Sequence, residues 1–261
     1  MKNEFFRIGQ FVKYLVKAKG KYYLHSPFVY HFFLNVLERK DNDEKLNAIL
    51  NSRQILQNNK NEIAVEDLGT GKSVNKKISV IEKNIAVRHK YGKLLYHLVC
   101  YTKPKTILEL GTSAGISTAY MASANSLLKL ITIEGSLNLV ELAKQNHAQL
   151  GLSNVCYETG NFDKVLPEVL KNNRTFDFIF FDGNHTRTAT LKYFYTCIEY
   201  ATENSVFVFD DIYWNSEMCN AWIKIKSEPR VTLTIDLFQF GICFFKKDFQ
   251  HKPIMKIFTQ L

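Results

Sequence analysis

The stretch ILELGTSAGIST, residues 107–118, decides the fold. Four residues rich in branched apolar side chains read as a buried strand, Gly111 to Gly115 make a glycine turn, and Ile116 onward can open a helix. The same strand–turn–helix rhythm continues to the end of the chain. Candidate strands are TILEL (106–110), LITIE (130–134), NVCYE (154–158), FDFIFF (176–181), SVFVF (205–209), VTLTIDL (231–237) and GICFF (241–245). Segments with apolar residues at three- and four-residue spacing, such as LNLVELAKQNHAQLG (137–151), separate the first five. Strands alternating with helices require right-handed crossovers and a parallel sheet. Only Phe238, Gln239 and Phe240 lie between the last two strands, too few for a crossover, so these form an antiparallel hairpin at one edge.

A second glycine turn competes for attention. VEDLGTGKSV (65–74) repeats the Leu-Gly-Thr core and ends in Gly71-Lys72-Ser73. A phosphate-binding P-loop needs a glycine five residues before Gly71. That position is Glu66, whose carboxylate would face the phosphates, and no clean apolar strand precedes it. The turn fails as a P-loop and reads as a glycine turn of the N-terminal region. The turn at Gly111 follows a strand and opens a helix at the carboxyl edge of the sheet, where such folds bind ligands. It lacks GxGxxG spacing, and Glu109 stands two residues before it, which does not suit a pyrophosphate. A carboxylate suits a cofactor with a cationic end, such as S-adenosylmethionine (SAM). The second strand ends in Glu134, at the offset where an acid takes ribose hydroxyls. Glu109 and Glu134 together favour SAM over NAD, with Glu134 as a plain solvated strand end the alternative.

Strand four ends in Asp182, followed by Gly183, Asn184 and His185, and strand five ends in Asp210-Asp211. In a doubly wound order these acids gather near the first strand. Close carboxylates repel and raise one another's pKa. A hard divalent cation such as Mg²⁺ resolves this, because it favours carboxylate and water oxygens. Aspartates at these positions can instead cap the helices that follow.

These stretches carry a family resemblance. ILELGTSAGIST, ITIEG, GNFDKVLPEVL, FDFIFFDGNHT and SVFVFDDIYW resemble, in order and spacing, the class I SAM-dependent methyltransferases, and within them the small-molecule O-methyltransferases related to catechol O-methyltransferase. The N-terminal HSPFVY segment resembles that of uncharacterised bacterial methyltransferases. The resemblance implies an α/β, Rossmann-like, doubly wound seven-stranded sheet of order 3-2-1-4-5-7-6 with the last strand antiparallel. It implies a helical N-terminal extension and a SAM site formed by Glu109, Gly111, Thr112, Ser113, Gly115, Ser117, Glu134, Gly135, Asn161, Phe162 and Asp182. Asn161 and Phe162 would lie along the adenine, or else begin an ordinary turn into the next helix. Asp182, Asp210 and Asp211 fall on the family's metal positions, although Asp211 stands where an amide is usual, which leaves open that only Asp182 and Asp210 ligate. His185 falls where the family keeps a lysine base, so it and Asp182 are the expected catalytic residues; His185 as a mere loop cap is the alternative. Tyr213 and Trp214 either wall an acceptor pocket or pack at a helix start. The expected organisation is a basic, helical cap and substrate region over 1–89, the SAM-binding methyltransferase domain over 90–250 and a C-terminal tail over 251–261.

Composition bounds the rest. Apolar residues make up 46% and charged residues 23% of the 261, as in a soluble globular chain rather than a disordered or membrane one. No apolar run reaches the ~20 residues of a membrane span, and MKNEFFRIGQFVKYL is too charged for a signal peptide. Residues 1–105 hold 20 Lys and Arg against 9 Asp and Glu, a net of +11, while the remainder holds 14 against 16, a net of −2. The basic excess is therefore confined to the N-terminal part and fits either a solvated surface or an acidic acceptor. The five scattered cysteines form no CxxC pair and read as reduced core residues. Within the N-terminal part, residues 23–40 read as a helix starting at Ser26-Pro27, residues 90–104 as another, and the polar stretch 41–83 as a short helix and a loop. The expected setting is cytoplasmic and the partner a small-molecule acceptor, acidic in one reading. No membrane and no nucleic acid is expected, with a homodimer as the assembly considered. A nucleic-acid methyltransferase and a non-catalytic SAM-binding protein are the rival functions.

Overall fold

The computed structural model describes residues 2–20, 26–40, 43–67, 72–84, 86–247 and 254–257. The expected glycine turn at 68–71 and the start of the HSPFVY segment lie outside them. The chain forms two compact units, one of residues 1–33 and 173–260, the other of residues 34–172. Chain order runs α1 (Lys2–Lys17), α2 (Pro27–Phe32), α3 (Glu44–Asn58), β1 (Glu62–Asp67), β2 (Lys72–Lys77), α4 (Ile78–Asn84) and α5 (His89–Thr102). It continues β3 (Thr106–Leu110), α6 (Ile116–Ala124), β4 (Lys129–Glu134), α7 (Leu137–Gln149), β5 (Val155–Thr159), α8 (Phe162–Asn173) and β6 (Phe178–Phe181). It closes with α9 (Arg187–Ile198), β7 (Val206–Phe209), α10 (Ser216–Ser227), β8 (Leu233–Asp236), β9 (Gly241–Phe244) and β10 (Ile254–Lys256).

In the unit of residues 34–172, β3, β4 and β5 pair in parallel in the order β5-β4-β3. Ile107, Leu108, Leu110, Leu130, Ile131 and Ile133 are buried, as strands covered on both faces require. Helix α6 is buried along its first eight residues, and it lies so close to α5 that a Cβ on Gly92 would stand 2.2 Å from the Tyr120 ring. The polar stretch 41–83 holds more structure than expected. Asp43 caps α3 by accepting the Lys45 N–H at 2.9 Å, and β1 and β2 form an antiparallel hairpin before α4. Strands this polar show none of the apolar alternation that marks a strand in a sequence. They are held by cross-strand pairs such as Glu62 opposite Lys77. The hairpin docks on α7, where Asn138 donates to the Ala64 carbonyl at 2.8 Å and Ser136 accepts the Glu66 N–H at 3.3 Å.

In the other unit the order is β6-β7-β9-β8-β10, with β9 antiparallel to both neighbours. Both halves of the expected strand order are thus present. The strand β10 is an addition: it pairs in parallel with β8 where a tail was expected. It is anchored by Lys256, whose ammonium donates to the Tyr213 hydroxyl at 2.9 Å and lies 3.9 Å from the buried Asp236 carboxylate. Helix α1 packs on the β8–β9 turn through Phe11 against Phe238, ring centroids 4.9 Å apart, and Tyr14, whose hydroxyl donates to the Ile257 carbonyl. Ser26 and Pro27 start α2 as expected, Ser26 accepting the Val29 N–H, and a short π-helical turn, Phe33–Leu37, follows. Of the cysteines only Cys197 and Cys243 are buried; Cys156 is exposed, and none of the five forms a disulfide. No helix among the described residues is long and apolar enough to cross a membrane.

Candidate functional site

The glycine turn leaves β3 through a backbone that few sequences allow. Gly111, Ser113 and Gly115 all take positive φ, at 103°, 49° and 77°. Glycine enters that region freely, whereas Ser113 costs about 1 kcal/mol and must be held there. The holder is Glu134, which ends β4. One carboxylate oxygen accepts the Ser113 N–H at 2.9 Å and the other the Ser136 N–H at 3.1 Å. Its backbone carbonyl accepts the N–H of Gly160 at 2.9 Å. Gly111, Ser113, Gly115, Glu134, Gly135 and the Gly160 turn after β5 are therefore brought together at one strand edge. The Ser113 hydroxyl is buried with no hydrogen-bond partner, a polar atom that a ligand in the turn can satisfy.

Glu109 sits elsewhere than expected. It has no exposed surface. Ser117 donates to one oxygen at 2.6 Å, Thr132 to the other at 2.7 Å, and Thr118 also donates to the latter. Burial pushes its pKa up to about 7, against the opposing pull of these three hydroxyls. With no exposed surface and three hydroxyls donating to it beneath the turn, Glu109 braces β3, β4 and α6 rather than reaching out toward the expected cofactor ammonium. Ser117 is committed to the same bracing. Thr112 is buried against Thr132, hydroxyl to hydroxyl at 2.5 Å. Asn161 takes the helix-starting alternative, its side chain accepting the Asp163 N–H at 2.8 Å while its carbonyl receives Val165. Phe162 is half-buried beside it.

The acids form a second cluster in the other unit. Asp210 follows β7, and its N–H donates to Phe181 at 3.0 Å, which aligns the ends of β6 and β7. Its carboxylate is buried, hydrogen-bonds with Asp182 and accepts the Asp211 N–H at 2.6 Å. Burial, and then the Asp211 charge, push the Asp210 pKa up to about 8. Asp211 is held at a φ of 53°. The side-chain amide of Gln239, from the β8–β9 turn, donates to Asp210 and, at 2.7 Å, to Asp211. His185 Nε2 lies 3.8 Å from Asp182; burial lowers its pKa and the Asp211 charge opposes this.

The helix-capping alternatives fail here. Thr186 caps α9 by accepting the Ala189 N–H, and Asn215 caps α10 by accepting Met218 at 2.8 Å. Neither His185 nor any of the three aspartates is used that way. The carboxylates of Asp182 and Asp210 suit a hard cation. Among the described residues, however, no three His, Cys, Asp or Glu side chains converge as a metal cage, so Asp211 is not a third converging ligand. Tyr213 is core: it donates to Asp236 at 2.7 Å and stacks on Phe238. Trp214 is 41% exposed beneath the Arg7 guanidinium. Gln239 is the contributor the sequence did not flag, though a lone amide in the apolar run LFQFGICFF was a signal.

Residues 108–212 match a family model described as a methyltransferase domain. A catechol O-methyltransferase from Niastella koreensis is 33% identical over 133 residues, 49% of this chain and 58% of that protein, so the chain spans under two thirds of the relative's length. The O-methyltransferase TomG of Streptomyces achromogenes, solved with SAM, superposes with a TM-score of 0.58 at 19% identity, over 83% of this chain and 94% of that one. A Bacillus cereus O-methyltransferase solved with SAH gives 0.56 at 21% identity, over 83% and 96%. At these identities the structural matches establish the fold: a Rossmann-like α/β methyltransferase fold.

Proposed function

We propose that this chain is a class I SAM-dependent methyltransferase that transfers the SAM methyl group to a hydroxyl of a small-molecule acceptor, a reading supported by the methyltransferase-domain match and the catechol O-methyltransferase relative. The observation that carries the cofactor reading is the clasp between Glu134 and the strained Ser113 backbone. It leaves an acid at the end of β4 beside the turn and an unsatisfied hydroxyl within it. The turn backbone would hold the methionine end and Glu134 the ribose hydroxyls.

The acid cluster would serve the acceptor. Asp182 and Asp210 would hold a divalent cation, which when bound lowers the pKa of a hydroxyl. Burial disfavours the charged form of His185, which suits the imidazole to accept the hydroxyl proton. In the transfer the oxygen–carbon bond forms as the carbon–sulfur bond breaks, and the sulfonium becomes the thioether of S-adenosylhomocysteine. Gln239 keeps Asp210 and Asp211 apart from mutual repulsion by donating to both. The basic N-terminal region would favour an acidic acceptor.

Calorimetry with SAM tests the reading. Binding by the wild type and loss on Glu134→Ala are expected; a wild type that ignores SAM sinks it.

A further inference from the structure

Two buried polar side chains at the C-terminal end of α7 remain unused by this chemistry. Asn146 and His147 are 3% and 1% exposed. The His147 Nε2 lies 2.6 Å from the Gly115 carbonyl, and its Nδ1 lies 2.6 Å from the Tyr157 hydroxyl on β5. A carbonyl only accepts, so Nε2 carries the hydrogen, and Nδ1 must accept from Tyr157. One neutral tautomer satisfies both ends. The Asn146 amide donates to the neighbouring Ala114 carbonyl at 3.4 Å, and its oxygen receives the Ser52 hydroxyl of α3. The fit against the turn is close: a Cβ on Gly115 would lie 2.5 Å from His147 Nε2. Gly115 is thus required twice, by its φ of 77° and by the ring lying on it.

We propose that His147 and Asn146 are positioning residues that fix the left-handed cofactor turn from behind. They hold the carbonyls of Ala114 and Gly115, so that the N–H groups of the turn and of the α6 start face the ligand. This rests on the turn being the SAM site. Glu134 grips the turn at Ser113 and α7 grips it at Ala114 and Gly115, so three successive residues are held from two elements. Backbone kept in sparsely populated φ/ψ persists only when its surroundings over-determine it. Through Ser52, the clamp also ties α3 of the N-terminal region to the cofactor turn.

The test compares wild type, His147→Leu, His147→Gln and Tyr157→Phe by calorimetry with SAM and by thermal melts. His147→Leu keeps the volume and loses the donor, and SAM Kd is expected to rise about tenfold, the size of one or two net hydrogen bonds. His147→Gln places an amide N–H near Nε2 and is expected to recover most of that loss, which a purely space-filling role would not produce. Tyr157→Phe frees the tautomer and should fall between. In ¹⁵N-labelled protein the imidazole should hold the Nε2–H form with and without SAM. A folded His147→Leu with wild-type SAM affinity, or a Gln variant no better than Leu, overturns the clamp. Should the Leu variant not fold, equal SAM affinity of Tyr157→Phe and wild type overturns it. A wild type that binds no SAM overturns the cofactor assignment, whereas a binding wild type with indifferent variants overturns the clamp alone.

Discussion

Glu134 accepts the backbone N–H of Ser113 at 2.9 Å, so an acid at the end of one strand sets the turn at the end of its neighbour. Replacement by alanine removes that acceptor, frees the Ser136 N–H and relaxes a non-glycine residue from positive φ. SAM affinity is expected to fall at least tenfold in Glu134→Ala, since two hydrogen bonds of roughly 1 kcal/mol each are lost before any contact with ribose is counted. Glu134→Gln, which keeps one oxygen, should lose less. Calorimetry showing equal affinity in both variants and wild type would remove Glu134 from the cofactor site.

The parallel sheet and its closing antiparallel hairpin were legible because βα alternation and a three-residue gap at 238–240 leave little freedom, while the strand order came from the family resemblance. Gly111, Glu134, Asp182 and Asp210 were legible because they end apolar strands. The depth of Glu109 was not. Its carboxylate is satisfied by Thr118 and Thr132 as well as Ser117, and three hydroxyls from two other elements meet only after folding. The β1–β2 hairpin escaped because its strands are charged, and β10 because three residues carry almost no periodic signal. Gln239 and His147 escaped for a common reason: each acts on a residue distant in sequence, through one polar group in an apolar segment.

Glu109 makes the fold sensitive to pH. Burial holds its pKa at about 7 against an ordinary 4.5, so between these values the folded chain keeps a proton the unfolded chain has released. Stability from this group is complete below 4.5 and is lost as pH rises through 7. His147, pushed down to about 4 from 6.5 by burial, works in the opposite sense: what it withholds at low pH is recovered as pH rises toward 6.5. Only a comparison with a variant separates them. Relative to wild type, Glu109→Gln should gain on the order of 2–3 kcal/mol between pH 4.5 and 7.5, measured by denaturant melts. Parallel stability curves for the two proteins would show that Glu109 does not titrate in this window.

The acid cluster predicts dependence on a divalent cation. With an acceptor in hand, a chelator should abolish most methyl transfer and Mg²⁺ should restore it. Asp210→Asn and Asp182→Asn should each cost about a hundredfold or more in kcat, in line with removing one charged group from a reacting centre. Gln239→Leu leaves Asp210 and Asp211 facing each other without their shared donor, and should weaken the wild-type pattern less than either Asp change. Turnover unaffected by chelator, with normal kcat in Asp210→Asn, would leave the cluster a structural feature.

The last prediction concerns β10 and the buried Asp236. Its carboxylate has no exposed surface and receives Tyr213 at 2.7 Å, Trp222 at 3.2 Å and the Phe238 N–H at 3.1 Å, with Lys256 at 3.9 Å. A buried carboxylate is tolerated only when its lone pairs are filled and a cation is near. Asp236→Ala would strand a tyrosine hydroxyl, an indole N–H and an ammonium together, and should cost about 3–5 kcal/mol. Lys256→Met removes the only cation that β10 brings, an ammonium that also lies over the Tyr213 and Tyr14 rings, yet leaves Asp236 its three hydrogen bonds, so it should cost less, about 1–3 kcal/mol. Because both changes break one network, the double variant should fall short of their sum, by an amount a double-mutant cycle measures. Additive losses would mean that β10 is held by its ladder hydrogen bonds to β8 rather than by Lys256.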